Sequence, residues 1–156
     1  MQRLSYIRIC AFTTIAIIVA LYSYTIYFNL QALDNNNSKI ILTALSIYVI
    51  PLTHSIQLLS IYKKCYPDKE VGRPFKTINL ILGILCLINL APYIFYIYAY
   101  TSNEYAIVND NKSFLTPIIL LFVVLSITLL VQFVGSFHLI RTIQHNARQQ
   151  LENHFV

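Results

Sequence analysis

Four stretches of the sequence contain no Asp, Glu, Lys or Arg, and each is long enough to cross a lipid bilayer. They cover residues 9–33, 40–62, 77–103 and 113–140, with lengths of 25, 23, 27 and 28 residues. A helix needs about 20 predominantly apolar residues to span the hydrocarbon core. Only 11% of the 156 residues are charged, against about 25% in an average soluble domain. We therefore predict an all-α integral membrane protein with one four-span domain and no soluble domain.

The polar segments between these stretches predict where the helices end. Spans are expected at approximately residues 9–30, 40–62, 77–100 and 113–140, and the fourth helix is expected to continue past Arg141 into a hydrophilic tail. Short connections favour antiparallel neighbours. The predicted fold is therefore an up-down antiparallel bundle of four transmembrane helices.

Basic residues are distributed unevenly along the chain. Nine of the eleven lie in the N-terminal segment, the middle loop and the C-terminal tail, namely Arg3, Arg8, Lys63, Lys64, Lys69, Arg73, Lys76, Arg141 and Arg148. Cytoplasmic segments of membrane proteins collect Lys and Arg. We therefore predict that both termini are cytoplasmic, in a multi-pass protein of the cell or plasma membrane. A nucleic-acid partner is not expected, because the basic residues have no soluble surface on which to cluster.

Polar side chains recur along the second and fourth spans. This polar seam consists of Thr43, Ser46, Thr53, His54, Gln57, Thr128 and Gln132. Such residues commonly hydrogen-bond between membrane helices. The alternative interpretation is a polar cavity or proton-sensitive site around His54 and Gln57, because ionisable groups within membranes often mark functional sites. The opposite side of the second span, with Leu45, Tyr48 and Leu59, is expected to face lipid.

Prolines and small residues predict local features of the bundle. Pro51 lacks a backbone N–H and so frees the carbonyl near Ile47, which predicts a kink in the second span. Small residues allow helices to approach closely. The pair Ala16 and Ala20, the stripe of Asn79, Gly83 and Cys86, and Gly135 are all interpreted as packing positions inside the bundle.

Two histidines within the spans, His54 and His138, raise the hypothesis of a haem held by two axial imidazoles. His54 lies nine residues before Lys63, and His138 lies three before Arg141. The offset corresponds to about 9 Å along the helix axis, which disfavours a shared haem. His138 is instead expected to extend to the membrane interface. Apart from this alternative, we expect no metal and no cofactor.

The sequence contains twelve tyrosines and no tryptophan. Tyr93, Tyr96 and Tyr100 share one helix face because they are three and four residues apart. They could line an outward aromatic pocket for a lipid-like or small hydrophobic ligand. The alternative is an aromatic belt at the level of the lipid head groups.

No nucleotide-binding, hydrolase or metalloprotease motif occurs, and no Ser, His and Asp set could assemble outside the membrane. We therefore expect no enzyme and no catalytic residue. The leading hypothesis is an accessory, anchor or immunity-type protein that acts by helix contact with a membrane-protein partner or as a homo-oligomer. The alternatives are a small oligomeric channel or carrier lined by the polar seam of span two, and a haem-binding anchor.

Overall fold

The computed structural model describes residues 4–31, 37–102 and 112–154, and within these ranges every regular element is an α-helix. The helices are α1 (Ser5–Gln31), α2 (Asn37–Cys65), α3 (Arg73–Ile88), α4 (Leu90–Ser102) and α5 (Lys112–His154). Side chains are described except at residues 25, 27–31, 37–46, 96, 99–100, 112–115 and 153–154. The all-α prediction is confirmed for this part of the chain.

One residue, Asn89, separates α3 from α4. Asn89 is the C-cap of α3, and its backbone N–H donates to the carbonyl of Leu85 at 2.9 Å. Pro92 follows within one turn and cannot donate a hydrogen bond to Ile88, which explains the interruption at this point. When α3 and α4 are taken as one α3–α4 segment, the helical segments number four in the described ranges, as the charge-free stretches predict.

The described residues include three helical segments that are long and apolar enough to cross a membrane. They are Ser5–Tyr24, Arg73–Phe95 and Thr116–Glu152, with hydropathies of 1.8, 2.1 and 2.8. Large apolar side chains also cover the outer surface. For example, Leu120 is 64% exposed and Val134 is 66% exposed. Contiguous apolar surface of this kind faces lipid or a protein partner, so the structure supports an integral membrane protein.

The helices pack in a ring. α1 contacts α2 and α5, and the α3–α4 segment contacts the same two helices from the other side. α2 and α5 also contact each other directly across the bundle. The main core lies inside this ring of helices. Its buried members are Ile17, Ile18, Leu21, Tyr48, Cys86, Leu90, Tyr93, Phe122, Leu125 and Leu129.

A second core closes the end of the bundle where the basic residues gather. It contains Leu4, Ile7, Ile61, Val71, Leu139 and Ile143. The hydrophilic part of α5 packs against the loop between α2 and α3, where Asn146 Nδ2 donates to the carbonyl of Pro67 at 2.9 Å and Gln150 Nε2 donates to the Asp68 carboxylate. The predicted continuation of the fourth helix is therefore confirmed. We call this region the basic end.

Two glycines permit close approach between helices, as the sequence predicts. A Cβ atom at Gly83 would lie 2.9 Å from Cδ2 of Phe133, and one at Gly135 would lie 3.1 Å from Cγ1 of Ile7. The stripe containing Asn79, Gly83 and Cys86 is buried, also as predicted.

The small pair on α1 behaves differently from the prediction. Ala16 and Ala20 are both exposed, so they do not pack inside this bundle. The reason is the orientation of α1, which turns Thr14, Ile18 and Leu21 inward at spacings of four and three residues. The packing interpretation of this pair is wrong for the single chain.

Candidate functional site

Gln132 of α5 joins three helices through its carboxamide. Its Nε2 donates to the carbonyl of Cys10 at 3.0 Å and to Oγ1 of Thr14. Its Oε1 accepts a hydrogen bond of 3.1 Å from Oγ of Ser55. The hydroxyl of Thr14 in turn donates to Oγ1 of Thr128 at 3.1 Å. We call these groups the Gln132 network.

The Gln132 network is buried at the centre of the bundle. Gln132, Thr14 and Ser55 are all 0% exposed. Buried amides and hydroxyls stabilise a fold only when they are hydrogen-bonded. Each of these three side chains has partners, so the network ties α1, α2 and α5 together. Thr14 and Ser55 lie outside the predicted polar seam.

Pro51 exposes a backbone acceptor that a second helical segment satisfies. The carbonyl of Ile47 lacks its usual donor because position 51 has no N–H. Asn89 Nδ2 donates to this oxygen at 2.7 Å, and the Tyr93 hydroxyl lies 3.4 Å from it. The interruption between α3 and α4 thus supplies the donor that α2 lacks.

The polar seam residues of α2 differ in burial and in hydrogen-bond partner. Thr53 is exposed, and its hydroxyl donates to the carbonyl of Val49 at 2.7 Å within its own helix. Gln57 is half-buried, and its Nε2 donates to the carbonyl of Phe75 at 3.3 Å. The side chains of Thr43 and Ser46 lie outside the described residues. The face opposite the seam also differs from the prediction, because Tyr48 is only 6% exposed and belongs to the core.

His54 lies at the contact between α2 and α3. The imidazole is 0% exposed, and a Cβ atom at Gly83 would be 3.9 Å from its Nε2. The polar neighbour of the imidazole is Asn79, which is 1% exposed. Gln57 lies one turn further along α2. We call His54, Gln57 and Asn79 the His54 site.

The polar atoms of the His54 site are incompletely paired. Within the described ranges, the contact between the His54 imidazole and the Asn79 carboxamide falls short of hydrogen-bond geometry, and Oε1 of Gln57 has no partner. Burying such a group without a partner costs about 1–3 kcal/mol. Native proteins keep few of these groups, often where a ligand, water or chemistry requires them. The site is therefore the leading functional candidate inside the bundle.

Replacing His54 with leucine tests this assignment. We expect His54→Leu to raise the free energy of unfolding in detergent by about 1 kcal/mol, because leucine carries no polar atoms to bury. The adjacent Ser55→Ala is the matched control and should lower stability, because it removes the donor to Gln132. A loss of stability in His54→Leu would show that the imidazole has a bonding partner, such as water or a ligand.

The structure places the two histidines of the haem hypothesis at different helix contacts. His54 lies between α2 and α3, whereas Nδ1 of the exposed His138 is 3.1 Å from the Tyr6 hydroxyl of α1. In the described part of the chain, no group of three or more His, Cys, Asp or Glu side chains could hold a metal ion. The haem hypothesis gains no support from this arrangement.

Tyr93 belongs to an aromatic stack in the main core. Its ring centroid lies 6.4 Å from that of Tyr48 and 5.4 Å from that of Phe122, and Tyr22 packs on Tyr48 with its ring tilted by 52°. Tyr93 is 2% exposed. The side chains of Tyr96 and Tyr100 lie outside the described residues, so the outward aromatic pocket remains a prediction.

The His54 site and the Gln132 network are the two polar centres of the described helices. No protein-family model, curated protein or solved structure matches this chain. Its function must therefore follow from these two centres and from the outer surface of the bundle.

Proposed function

We propose that this chain is a non-enzymatic integral membrane protein that acts through lateral helix contacts. Its role would be that of an accessory subunit, an anchor or an immunity-type protein, and its partner another membrane protein or further copies of itself. The observation that carries the proposal is the contrast between interior and surface. The Gln132 network is paired inside the bundle, whereas large apolar side chains cover the outside.

The packed interior favours action through lateral helix contacts over transport of a solute through a single bundle. The side chains with 0% exposure include Leu58 of α2 and Leu125, Leu129, Leu139 and Ile143 of α5. Close packing of this kind excludes water from the axis of a single bundle. Transport through one copy would need this core to open, while lateral contact leaves it intact.

The outward face of α1 is the surface that best suits a partner helix. Ala16 and Ala20 are exposed there, four residues apart, and the small Ser23 is exposed one turn further along. Lipid tails and apolar side chains are alike in polarity, so helices associate in membranes largely through close packing at small residues. A partner helix could approach α1 closely along this pair.

We further propose the four-span up-down arrangement with both termini in the cytoplasm of the cell membrane. The second core supports it, because Leu4, Ile61 and Ile143 bring the beginning of α1, the end of α2 and the second half of α5 to one end. The basic residues gather at that end, as cytoplasmic segments do. Reporter tags at both termini and at Gly72 are expected to be cytoplasmic, and an external C-terminal tag would contradict the arrangement.

Extraction in a mild detergent tests lateral association. We expect the wild-type particle to exceed the mass of one chain plus its micelle, with either a second copy or a co-purifying membrane protein. Ala16→Leu with Ala20→Leu should remove the additional mass, because leucine fills the close-approach surface. The matched control is Ala91→Leu, an exposed alanine on α4. A single-chain particle from wild type would overturn the proposal.

A channel or carrier lined by the seam of α2 is the second candidate, and the His54 site favours it. Polar atoms that lack partners in the described helices are suited to bind a passing solute. Reconstituted liposomes distinguish the two functions. A carrier would show solute flux that His54→Gln abolishes while the protein stays folded. If the chain acts only by lateral contact, neither the wild type nor His54→Gln should show solute flux.

A further inference from the structure

An open groove lies between α3 and α5 at the basic end of the bundle, with a volume of about 520 Å³. Lys76 of α3 and Arg141 of α5 line it, and Gln144 adds a further hydrogen-bonding side chain. None of the residues that line this groove, all of them within the described ranges, is acidic. Two cations from separate helices therefore converge on one concave surface, which favours an anionic ligand.

The walls of the groove continue into the apolar outer surface. Leu80 of α3 is 42% exposed and Phe137 of α5 is 45% exposed, and both line the groove. One turn further along the same helices, Ile84 and Val134 are 45% and 66% exposed. A ligand bound beside the cations could therefore extend an apolar chain along this surface without leaving the membrane.

Asn79 lines the groove from α3 although its side chain is 99% buried, at 1% exposure. In the described part of the chain its Oδ1 has no hydrogen-bond partner. The Asn79 carboxamide also neighbours the His54 imidazole, so it forms the inner wall of the groove. The groove thus combines two cations from separate helices with apolar walls.

We propose that this groove binds an anionic glycerophospholipid such as phosphatidylglycerol. The phosphate lies between Lys76 and Arg141, where the guanidinium can form paired hydrogen bonds to two oxygens. The acyl chains follow Leu80 and Phe137. Basic pockets between membrane helices recognise anionic head groups in this way. The apolar walls favour a lipid over free phosphate.

Competition between lipids tests the proposal on the full chain in detergent micelles. Native mass spectrometry with equal phosphatidylglycerol and phosphatidylcholine should show preferential retention of phosphatidylglycerol by the wild type. Lys76→Gln with Arg141→Gln should lower that preference tenfold or more, on the order expected for losing two cation contacts.

The matched control removes the same charge elsewhere. Lys63→Gln with Lys64→Gln neutralises two exposed lysines at the end of α2 that do not line the groove, and it should keep the wild-type preference. Equal loss in this control would indicate diffuse attraction and overturn the site. Equal binding of phosphatidylcholine would indicate a purely apolar groove, and displacement by millimolar inorganic phosphate would indicate a free-anion site.

Folding of the variants is checked by melting in phosphatidylcholine micelles. If the double variant fails to fold, Arg141→Gln and Lys76→Gln are measured singly, and each is expected to lose part of the preference. If both single variants fold and both keep the full wild-type preference for phosphatidylglycerol, the proposal is also overturned.

Discussion

Gly83→Leu is expected to lower the free energy of unfolding by about 3 kcal/mol, the upper range for overpacking a tightly packed core. Even a Cβ atom at this position would lie 2.9 Å from Cδ2 and 3.2 Å from Cε2 of Phe133. Phe133 is itself held at a ring-centroid distance of 5.1 Å from Phe137. α3 and α5 must therefore separate to admit a leucine. Reversible denaturation in detergent micelles measures the loss.

Two further variants identify the cause of that loss. Gly72→Leu introduces the same side chain at an exposed position, where a Cβ atom meets only Cδ of Pro74 at 3.8 Å. It should lower stability by about 1 kcal/mol or less, because Gly72 is the N-cap of α3 and leucine is a poor capping residue. Phe133→Ala combined with Gly83→Leu should recover part of the loss, because it removes the colliding ring. If Gly83→Leu matched Gly72→Leu in stability, the close contact between α3 and α5 would be disproved.

The position of each helix along the chain followed from the sequence because charged residues mark the limits of the apolar stretches. The four predicted ranges, 9–30, 40–62, 77–100 and 113–140, all fall within the observed helices, with the third interrupted at Asn89. Burying a charge in hydrocarbon is costly. This cost places Lys, Arg, Asp and Glu at the limits of the apolar stretches, so a single sequence reveals those limits, whereas α1 and α5 themselves continue past charged residues.

The inward faces of the helices were harder to predict. In water an amphipathic pattern separates core from surface, but lipid and core are both apolar. α1 therefore offers no pattern by which Ala16 could be assigned outward and Ile18 inward. Tyr48 was assigned to the lipid side for the same reason, although it stacks within the main core.

Polar residue type identified part of the candidate site. His54, Gln57, Gln132 and Thr128 stood out because polar groups are uncommon in spans. The partners of Gln132 did not, since Thr14 and Ser55 are brought to it only by the packing of other helices. The same limit applies at Pro51. The sequence predicted that a carbonyl near Ile47 would be freed, but not that Asn89 would satisfy it.

Gln132→Met is expected to lower the free energy of unfolding by about 2 kcal/mol, because it removes three hydrogen bonds between membrane helices that are each worth about 0.6–1.7 kcal/mol. Methionine has a similar volume and flexible shape, so little of the loss should come from packing. The exposed Thr53→Val is the comparison. It removes one bond within α2 and should leave stability nearly unchanged.

A double-mutant cycle with Thr14→Val separates the Gln132 network from general packing. Gln132 donates to Thr14, so the two variants remove the same bond, and their combined effect should fall short of the sum by about 1 kcal/mol. Strict additivity would mean that the carboxamide and the hydroxyl act independently. In that case Gln132 would not link α1, α2 and α5 through one shared network. The closed interior, on which action by lateral contact depends, would then be held by apolar packing alone.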